Sequence, residues 1–254
     1  MTTEDPFAFG DLTEEPPRSL VDLVYASWVA VPGPLGEVFL AFTRQGVEYA
    51  RPAAALPDGD GGFRAAYRAR FGRPLRRADA PPAGVLAALS GRPSRALRLH
   101  LPGLSDFERA VLAATRRIPA GQTRPYNWVA AQIGRPRAVR AVGTALGNNP
   151  VPLLVPCHRV TKATGEPGGY VFGPAMKERL LRAERVNLDE VGDLARHRVF
   201  FIGSDTTRIV CYPTCANARR ITERHRRGFR TVEEARAHGY RPCKHCAPAA
   251  AAPA

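Results

Sequence analysis

Apolar positions follow two different periods along the chain. From Leu20 the pattern is strand-like. Val24 to Val31 is rich in β-formers, Gly36 to Phe42 follows a Pro-Gly-Pro turn, and Val47 to Tyr49 follows a Gln-Gly turn. Together they predict a small antiparallel sheet. Phe63 to Phe71 reads as a short basic helix, residues 72–95 as loop or short helix, and Arg98 to Leu101 as a last strand. Beyond residue 103 the period becomes helical. Ser105-Asp-Phe-Glu108 is a capping box, in which the Ser and Glu side chains each satisfy a free N–H of the other's backbone. Phe107, Ala110, Val111 and Ala114 then mark one apolar face, ended by Pro119-Ala-Gly121. Tyr126, Val129, Ala130 and Ile133 repeat the spacing up to Gly134, and Val139, Val142, Gly143 and Leu146 repeat it again after an Arg-Pro turn. Two short helices so joined predict a helix-turn-helix. The opposite face of its last helix carries Arg137, Arg140, Ala141, Thr144 and Asn148. Small side chains among arginines let a backbone approach a groove while the cations meet phosphates, although a solvated surface helix has the same composition.

Composition removes whole classes. With 44% hydrophobic residues the 254-residue chain is not disordered as a whole. No run reaches the ~20 apolar residues of a membrane helix. The acidic start, MTTEDPFAFGDLTEEPP, has no basic segment and is not a secretory signal. Lys plus Arg number 37 against 23 Asp plus Glu, for a net charge of +14, and the charge is uneven: residues 1–60 carry −7 and residues 61–254 carry +21. A basic body suits a polyanion, nucleic acid above all, though a GC-rich genome that writes arginine readily would give a similar surface.

Two groups of residues carry candidate chemistry. The first is Asn149-Pro-Val-Pro-Leu-Leu-Val-Pro-Cys157-His158. Prolines bracket Leu153 to Val155 and predict an extended, buried run that delivers Cys157 at its end. A thiol is mostly protonated at neutral pH and becomes a nucleophile only beside a base, which His158 supplies; a buried inert thiol is the other reading. In a helix predicted over Pro174 to Arg185, Met176, Leu180 and Glu184 share a face. A carboxylate there needs a partner, either His158 or a neighbouring Arg182 or Arg185. Cys157, His158 and Glu184 would then be nucleophile, base and orienter. The second group is Cys211-x3-Cys215 and Cys243-x2-Cys246, separated by 27 residues. Two close thiol pairs suit tetrahedral zinc, and disulfides are disfavoured without a secretion signal.

The stretch Ile118-Pro-Ala-Gly-Gln-Thr-Arg-Pro-Tyr126, with Arg140-Ala-Val-Gly143, Asn149-Pro, Val155-Pro-Cys-His-Arg-Val160 and Gly168-Gly-Tyr170, resembles the O6-alkylguanine-DNA alkyltransferases, or methylated-DNA–protein-cysteine methyltransferases. The likeness is strong over 103–186 and weak over 22–102. It implies that Cys157 accepts an alkyl group from O6 of guanine, and from O4 of thymine, in a single turnover. It implies further that His158 draws off the thiol proton through a water, Glu184 orients the imidazole, Asn149 holds the turn and Tyr126 protonates the leaving base. Arg140 would fill the space of the flipped nucleotide, with Arg137, Ala141 and Thr144 beside it on the DNA face. Tyr170, Pro152 and Gly168 would line the base pocket. Val171 departs from the serine common in the family, and Phe172 matches the bulky aromatic of Ada-type members.

Gly203-Ser-Asp-Thr-Thr207, Cys211-Tyr-Pro-Thr-Cys215, Ala218-Arg-Arg220 and Gly239-Tyr-Arg-Pro-Cys-Lys-His-Cys246 resemble the zinc module of the Ada adaptive-response protein. That likeness implies one zinc ion on Cys211, Cys215, Cys243 and Cys246, no organic cofactor, and Cys211 as a possible second acceptor, of methyl from DNA phosphotriesters. Tyr212 and Asp205 replace basic residues usual there, which leaves a structural, DNA-binding module as the other reading. Here the module follows the alkyltransferase region, and no spare segment is expected to hold a transcription-activating domain.

The expectation is therefore an α+β protein: an acidic leader over 1–19, a β-rich, ribonuclease-H-like subdomain over 20–102, a helix-turn-helix alkyltransferase domain over 103–190 and a zinc-stapled α/β module over 197–248. The expected partner is double-stranded DNA with alkylated bases, not a membrane. The expected state is a monomer in the cytoplasm, at the nucleoid. A lesion-binding protein without transfer, or a methylation-sensing regulator, is the alternative.

Overall fold

The computed structural model describes residue 21 and residues 24–249; the leader expected over 1–19 lies outside the described residues. Among these residues the chain is mixed α/β. Strands β1 (Ala26–Gly33), β2 (Gly36–Thr43) and β3 (Gly46–Pro52) form the expected antiparallel meander. Its fourth strand is β4 (Leu75–Arg77), parallel to β1, giving the order β3-β2-β1-β4. The strand expected over Arg98 to Leu101 is reduced to a single bridge between Leu99 and Val47. Helix α1 (Gly59–Phe71) starts earlier than its aromatic pattern predicts.

Period-two alternation explains why this sheet is buried on both faces. Trp28, Phe39, Tyr49, Phe63 and Tyr67 cluster under α1. Val29, Val31, Val38, Leu40 and Ala50 face the other way and join the core of the helical region. Glu48 is fully buried at this junction, yet it is satisfied by Tyr67 Oη (2.6 Å), His100 Nδ1 (2.7 Å) and Arg73 (3.0 Å). A buried carboxylate persists only with such partners. Helix α2 (Val85–Leu89) packs against β1, an inner strand of the sheet.

Helix α3 (Asp106–Arg116) begins at the predicted capping box, with Ser105 Oγ accepting from Glu108 N and Ser105 N donating to Glu108 Oε2 at 2.9 Å. Its inward face is Val111, Leu112, Ala114 and Thr115, whereas Ala110 is exposed. Strand β5 (Arg124–Pro125) leads into α4 (Tyr126–Gln132), and α5 (Val139–Gly147) completes the helix-turn-helix. Val139, expected inside, is 36% exposed because it opens α5; Val142, Ala145 and Leu146 bury instead. Strand β6 (Val160–Thr161) pairs parallel with β5, and α6 (Pro174–Ala183) and α7 (Leu188–Arg196) follow. The last sheet has the order β10-β8-β7-β9, from β7 (Phe201–Ser204), β8 (Ile209–Cys211), β9 (Arg226–Phe229) and β10 (Arg241–Pro242), with α8 (Val232–Ala237) against β9 and β10.

Among the described residues no helix is long and apolar enough to cross a membrane.

Candidate active site and metal centre

The chain reaches Cys157 through a closed turn rather than the extended run that the prolines predict. Leu153 is left-handed (φ 74°), Pro152 and Val155 form a bridge, and Val155 N donates to Val151 O at 3.0 Å. Asn149 closes this turn from within. Its Oδ1 accepts from Val151 N (3.0 Å), and its Nδ2 donates to Val155 O (3.0 Å) and to Cys157 Sγ (3.2 Å). A non-glycine residue in the left-handed region is strained, and three side-chain hydrogen bonds across one turn are what hold it. The N-terminal sheet braces the same turn, because Pro150 O accepts from Ala50 N (2.9 Å) and from the Arg51 guanidinium (3.0 Å).

Cys157, His158 and Arg159 form one turn of 3-10 helix, and all three are buried. His158 Nε2 lies 2.9 Å from Glu184 Oε1. The same carboxylate receives Arg159 Nε at 2.9 Å, Arg159 Nη2 at 2.7 Å and the Gly121 backbone N–H at 3.1 Å. Burial alone would raise the Glu184 pKa, but hydrogen bonds from His158 and Arg159 bring it down to about 2. Glu184 is therefore an anion, and His158 carries its proton on Nε2. Burial also lowers the His158 pKa, so the ring is neutral and its Nδ1 holds a lone pair. That Nδ1 is buried and makes no hydrogen bond to the protein. The arrangement can accept a proton at one specific atom.

Burial raises the Cys157 pKa, and the Asn149 amide, Lys177 and Arg51 act against it. The resting sulfur is thus a neutral thiol in a cationic setting, which needs a base to become a nucleophile. Tyr126 opens α4 and donates to Gly169 O at 3.4 Å. Gly168 is left-handed (φ 70°), and a Cβ there would meet the Tyr126 hydroxyl at 3.5 Å. Tyr170 stands edge-on to Phe172 and to His158 (ring centroids 5.4 and 6.4 Å apart), and its hydroxyl is buried without a protein partner. Pro152 is buried in the turn, and Val171 is exposed. Arg137, Arg140, Ala141 and Thr144 are all exposed along α5 and the loop before it.

Glu184 caps the end of α6 instead of lying inside a helix running to Arg185. Of the two partner sets open to it, it takes His158 rather than Arg182, which pairs with Asp189 at 3.0 Å. Sequence reasoning missed Lys177, whose ammonium is buried on Val160 O (2.5 Å) and Gly169 O (3.1 Å), with burial lowering its pKa to about 8. The signal was there: Lys177, Leu180 and Leu181 share the buried face of α6 at i, i+3, i+4. Arg159 and Gly121, both within the quoted motifs, gave no sign that they would meet one carboxylate.

The sulfurs of Cys211, Cys215, Cys243 and Cys246 all lie within 4.8 Å of one another and are buried. Tetrahedral zinc with Zn–S bonds of about 2.3 Å separates its ligand sulfurs by just under 4 Å, so the cluster fits one zinc ion. The four donors are all thiols, which zinc favours as thiolates. Asn217 Nδ2 donates to Cys243 Sγ at 3.5 Å, a hydrogen bond that suits a sulfur carrying charge. Tyr212 is not at the surface: it stacks near Phe201 (5.3 Å) and under Arg124 (5.5 Å) at the junction with the helical region. Asp205 pairs with His225 (2.8 Å) and Arg227 (3.0 Å).

Comparison with known proteins finds likenesses over both segments. Residues 106–186 match the family described as 6-O-methylguanine DNA methyltransferase, DNA binding domain, and residues 191–249 match the metal binding domain of Ada. A methylated-DNA–protein-cysteine methyltransferase of Methanosarcina barkeri is 46% identical over 34% of this chain and 55% of the relative. Its counterpart in Mycolicibacterium paratuberculosis is 49% identical over 35% of this chain and 53% of the relative. The chain spans about half the length of these curated relatives. A crystal structure of the Mycobacterium tuberculosis O6-methylguanine methyltransferase is 31% identical, with a TM-score of 0.50, over 63% of this chain and 93% of that one. With Cys157 and His158 buried and Glu184 hydrogen-bonded to the imidazole in the matching segment, and a four-thiol zinc site after it, the chain belongs to the methylated-DNA–protein-cysteine methyltransferase family and carries an Ada-type metal-binding domain.

Proposed function

We propose that this protein repairs DNA by direct reversal, moving a methyl or larger alkyl group from O6 of guanine, or O4 of thymine, to Cys157. The observation that carries this reading is the free Nδ1 lone pair of His158, set by the Glu184 anion on the other ring nitrogen, on the residue that follows a buried thiol held by Asn149. His158 Nδ1 takes the thiol proton through a water. The sulfur attacks the alkyl carbon, the carbon–oxygen bond breaks, and its electron pair stays with the base. Tyr126 protonates that base and regains a proton as the imidazolium loses one. Tyr and His are the right residue types for this exchange. The product is a thioether, a very poor leaving group, so each molecule reacts once.

The target carbon is masked in a stacked duplex, so the nucleotide must leave the helix. The exposed, basic face of α5 supports entry to the minor groove, with Arg140 filling the gap, Arg137, Ala141 and Thr144 against the backbone, and Tyr170, Pro152 and Gly168 around the flipped base. Domain limits of 20–102, 103–190 and 197–248, a ribonuclease-H-like first domain, a monomeric state and a cytoplasmic, nucleoid-associated location belong to the same reading. The presence of Cys157 argues against a lesion binder that does not transfer.

A second reaction, methyl transfer from a DNA phosphotriester to Cys211, is supported by one observation. A surface cavity opens at Cys211 and is lined by Arg220, His225, Asn217, Ser204 and Thr207, groups suited to a phosphate. Zinc when bound would keep the thiol ionised at neutral pH. Peptide mapping by mass spectrometry after incubation with an O6-methylguanine duplex, and separately with phosphotriester DNA, tests both. One added methyl is expected on the Cys157 peptide in the first case and on the Cys211 peptide in the second. An unmodified Cys157 under stoichiometric conditions would overturn the main reading.

A further inference from the structure

Gly121 is gripped from both sides. Its N–H donates to Glu184 Oε2 at 3.1 Å, and its carbonyl accepts from Arg219 Nη2 at 3.0 Å. Its backbone is left-handed (φ 71°), and a Cβ there would sit 2.8 Å from Glu184 O and 3.5 Å from the Arg219 guanidinium. No side chain larger than hydrogen fits between them. Arg219 lies in the turn after the second zinc ligand, and its own N–H donates to Cys215 O at 3.1 Å.

The residues after Gly121 are held by the same module. Thr123 N donates to Thr214 Oγ1 at 2.9 Å, Thr214 Oγ1 donates to Thr123 O at 3.2 Å, and Trp128 Nε1 donates to Cys246 O at 2.9 Å. Arg124 and Pro125 then pair as β5 with Val160 and Thr161, the residues directly after the Cys-His-Arg turn. Both zinc-ligand segments therefore clamp one stretch, Gly121 to Trp128, which supplies a donor to Glu184 and a strand to the residues after the acceptor turn.

We infer that the zinc module buttresses the alkyl-acceptor site, with Arg219 as a positioning residue that fixes Gly121 and, through it, the Glu184 carboxylate and the tautomer of His158. The inference rests on the reading of Cys157 as acceptor, but part of its test does not. The Arg219 guanidinium bonds the Gly121 carbonyl, not the acceptor sulfur. It sets the angle at which Glu184 meets the imidazole, and small misplacements at such a distance change rates without changing binding.

The test uses the full, zinc-loaded chain with Arg219→Ala and Arg219→Lys. Single-turnover transfer is followed at saturating O6-methylguanine duplex, duplex affinity is measured separately, and 15N NMR of the histidine ring nitrogens reads the His158 tautomer. For Arg219→Ala the saturating rate is expected to fall roughly 10- to 100-fold with affinity unchanged, and His158 to lose its single Nε2–H signature. Arg219→Lys, which keeps a donor for Gly121 O, restores most of both. Should Arg219→Ala fail to fold, Thr214→Val carries the same expectation through Thr123. A rate loss matched by lost affinity, or an unchanged tautomer, would overturn the inference. If the wild-type chain transfers nothing, the reading of Cys157 fails while the tautomer experiment still decides the buttress.

Discussion

His158 Nε2 and Glu184 Oε1 lie 2.9 Å apart, and this one hydrogen bond decides which face of the imidazole is basic. A carboxylate held as an anion fixes the ring proton on Nε2 and leaves Nδ1 as the acceptor. Arg159 and Gly121 keep the carboxylate from turning away.

Stability should follow pH in two steps. Glu184 has a folded pKa of about 2 against an ordinary 4.5, so its contribution is present above 4.5 and lost as pH falls toward 2. The size is about 3 kcal/mol at 1.36 kcal/mol per pH unit. Burial depresses the His158 pKa below its ordinary 6.5, so its contribution is likewise present above 6.5 and lost as pH falls through the lower folded value. Urea unfolding across this range should show both losses, and Glu184→Gln should remove the acid step. The transfer rate should hold to below pH 6.5, since the ring stays neutral there.

Asn149→Ala should cost about 2 kcal/mol, because it leaves Val151 N without its partner and Val155 O with only the Cys157 N–H, beside a left-handed Leu153. Thermal unfolding measures the loss. Transfer should slow as well, since the sulfur loses its one amide donor; an unchanged rate would separate the turn from the chemistry.

Removing zinc with a chelator, or replacing Cys243 by Ser, should release the Cys246 segment and with it the Trp128 indole N–H. Indole emission should then shift to the red as Trp128, now 6% exposed, meets water. The other tryptophan, Trp28, packs in the separate aromatic cluster under α1 and should not respond. Emission that stays unchanged on complete zinc loss would mean that the module docks without its metal.

Arg137→Ala should weaken duplex binding and make the plot of log affinity against log salt shallower by about one unit, as follows when one fewer phosphate is neutralised. Arg140→Ala, at the residue that fills the flipped nucleotide's place, should instead lower transfer more than it changes the salt slope. Binding titrations at several salt concentrations, paired with single-turnover rates, separate the two.

The order of elements was readable because local physics writes it. Alternation gave β1 to β3, the capping box gave the start of α3, and the spacing of the cysteines gave the metal site. Three prolines favour an extended run before Cys157, but the closed turn found there depends on Asn149 reaching six residues ahead to Val155 O and eight to Cys157 Sγ. Lys177 escaped notice because a lysine on a helix is ordinarily solvated. Only packing shows that Val160 O and Gly169 O await it.

By itself, then, the sequence determined residue types and short-range geometry: a thiol beside an imidazole, four thiols in two pairs, a basic helix face. Tertiary structure alone decided which groups share a carboxylate and which zinc-ligand segments meet Gly121, Thr123 and Trp128. Glu184 is 26 residues from His158 and 63 from Gly121, and Arg219 is 98 from Gly121. At those separations no period or turn rule constrains the chain, and the pairings exist because a carboxylate or carbonyl withdrawn from water is stable only where the fold brings donors to it.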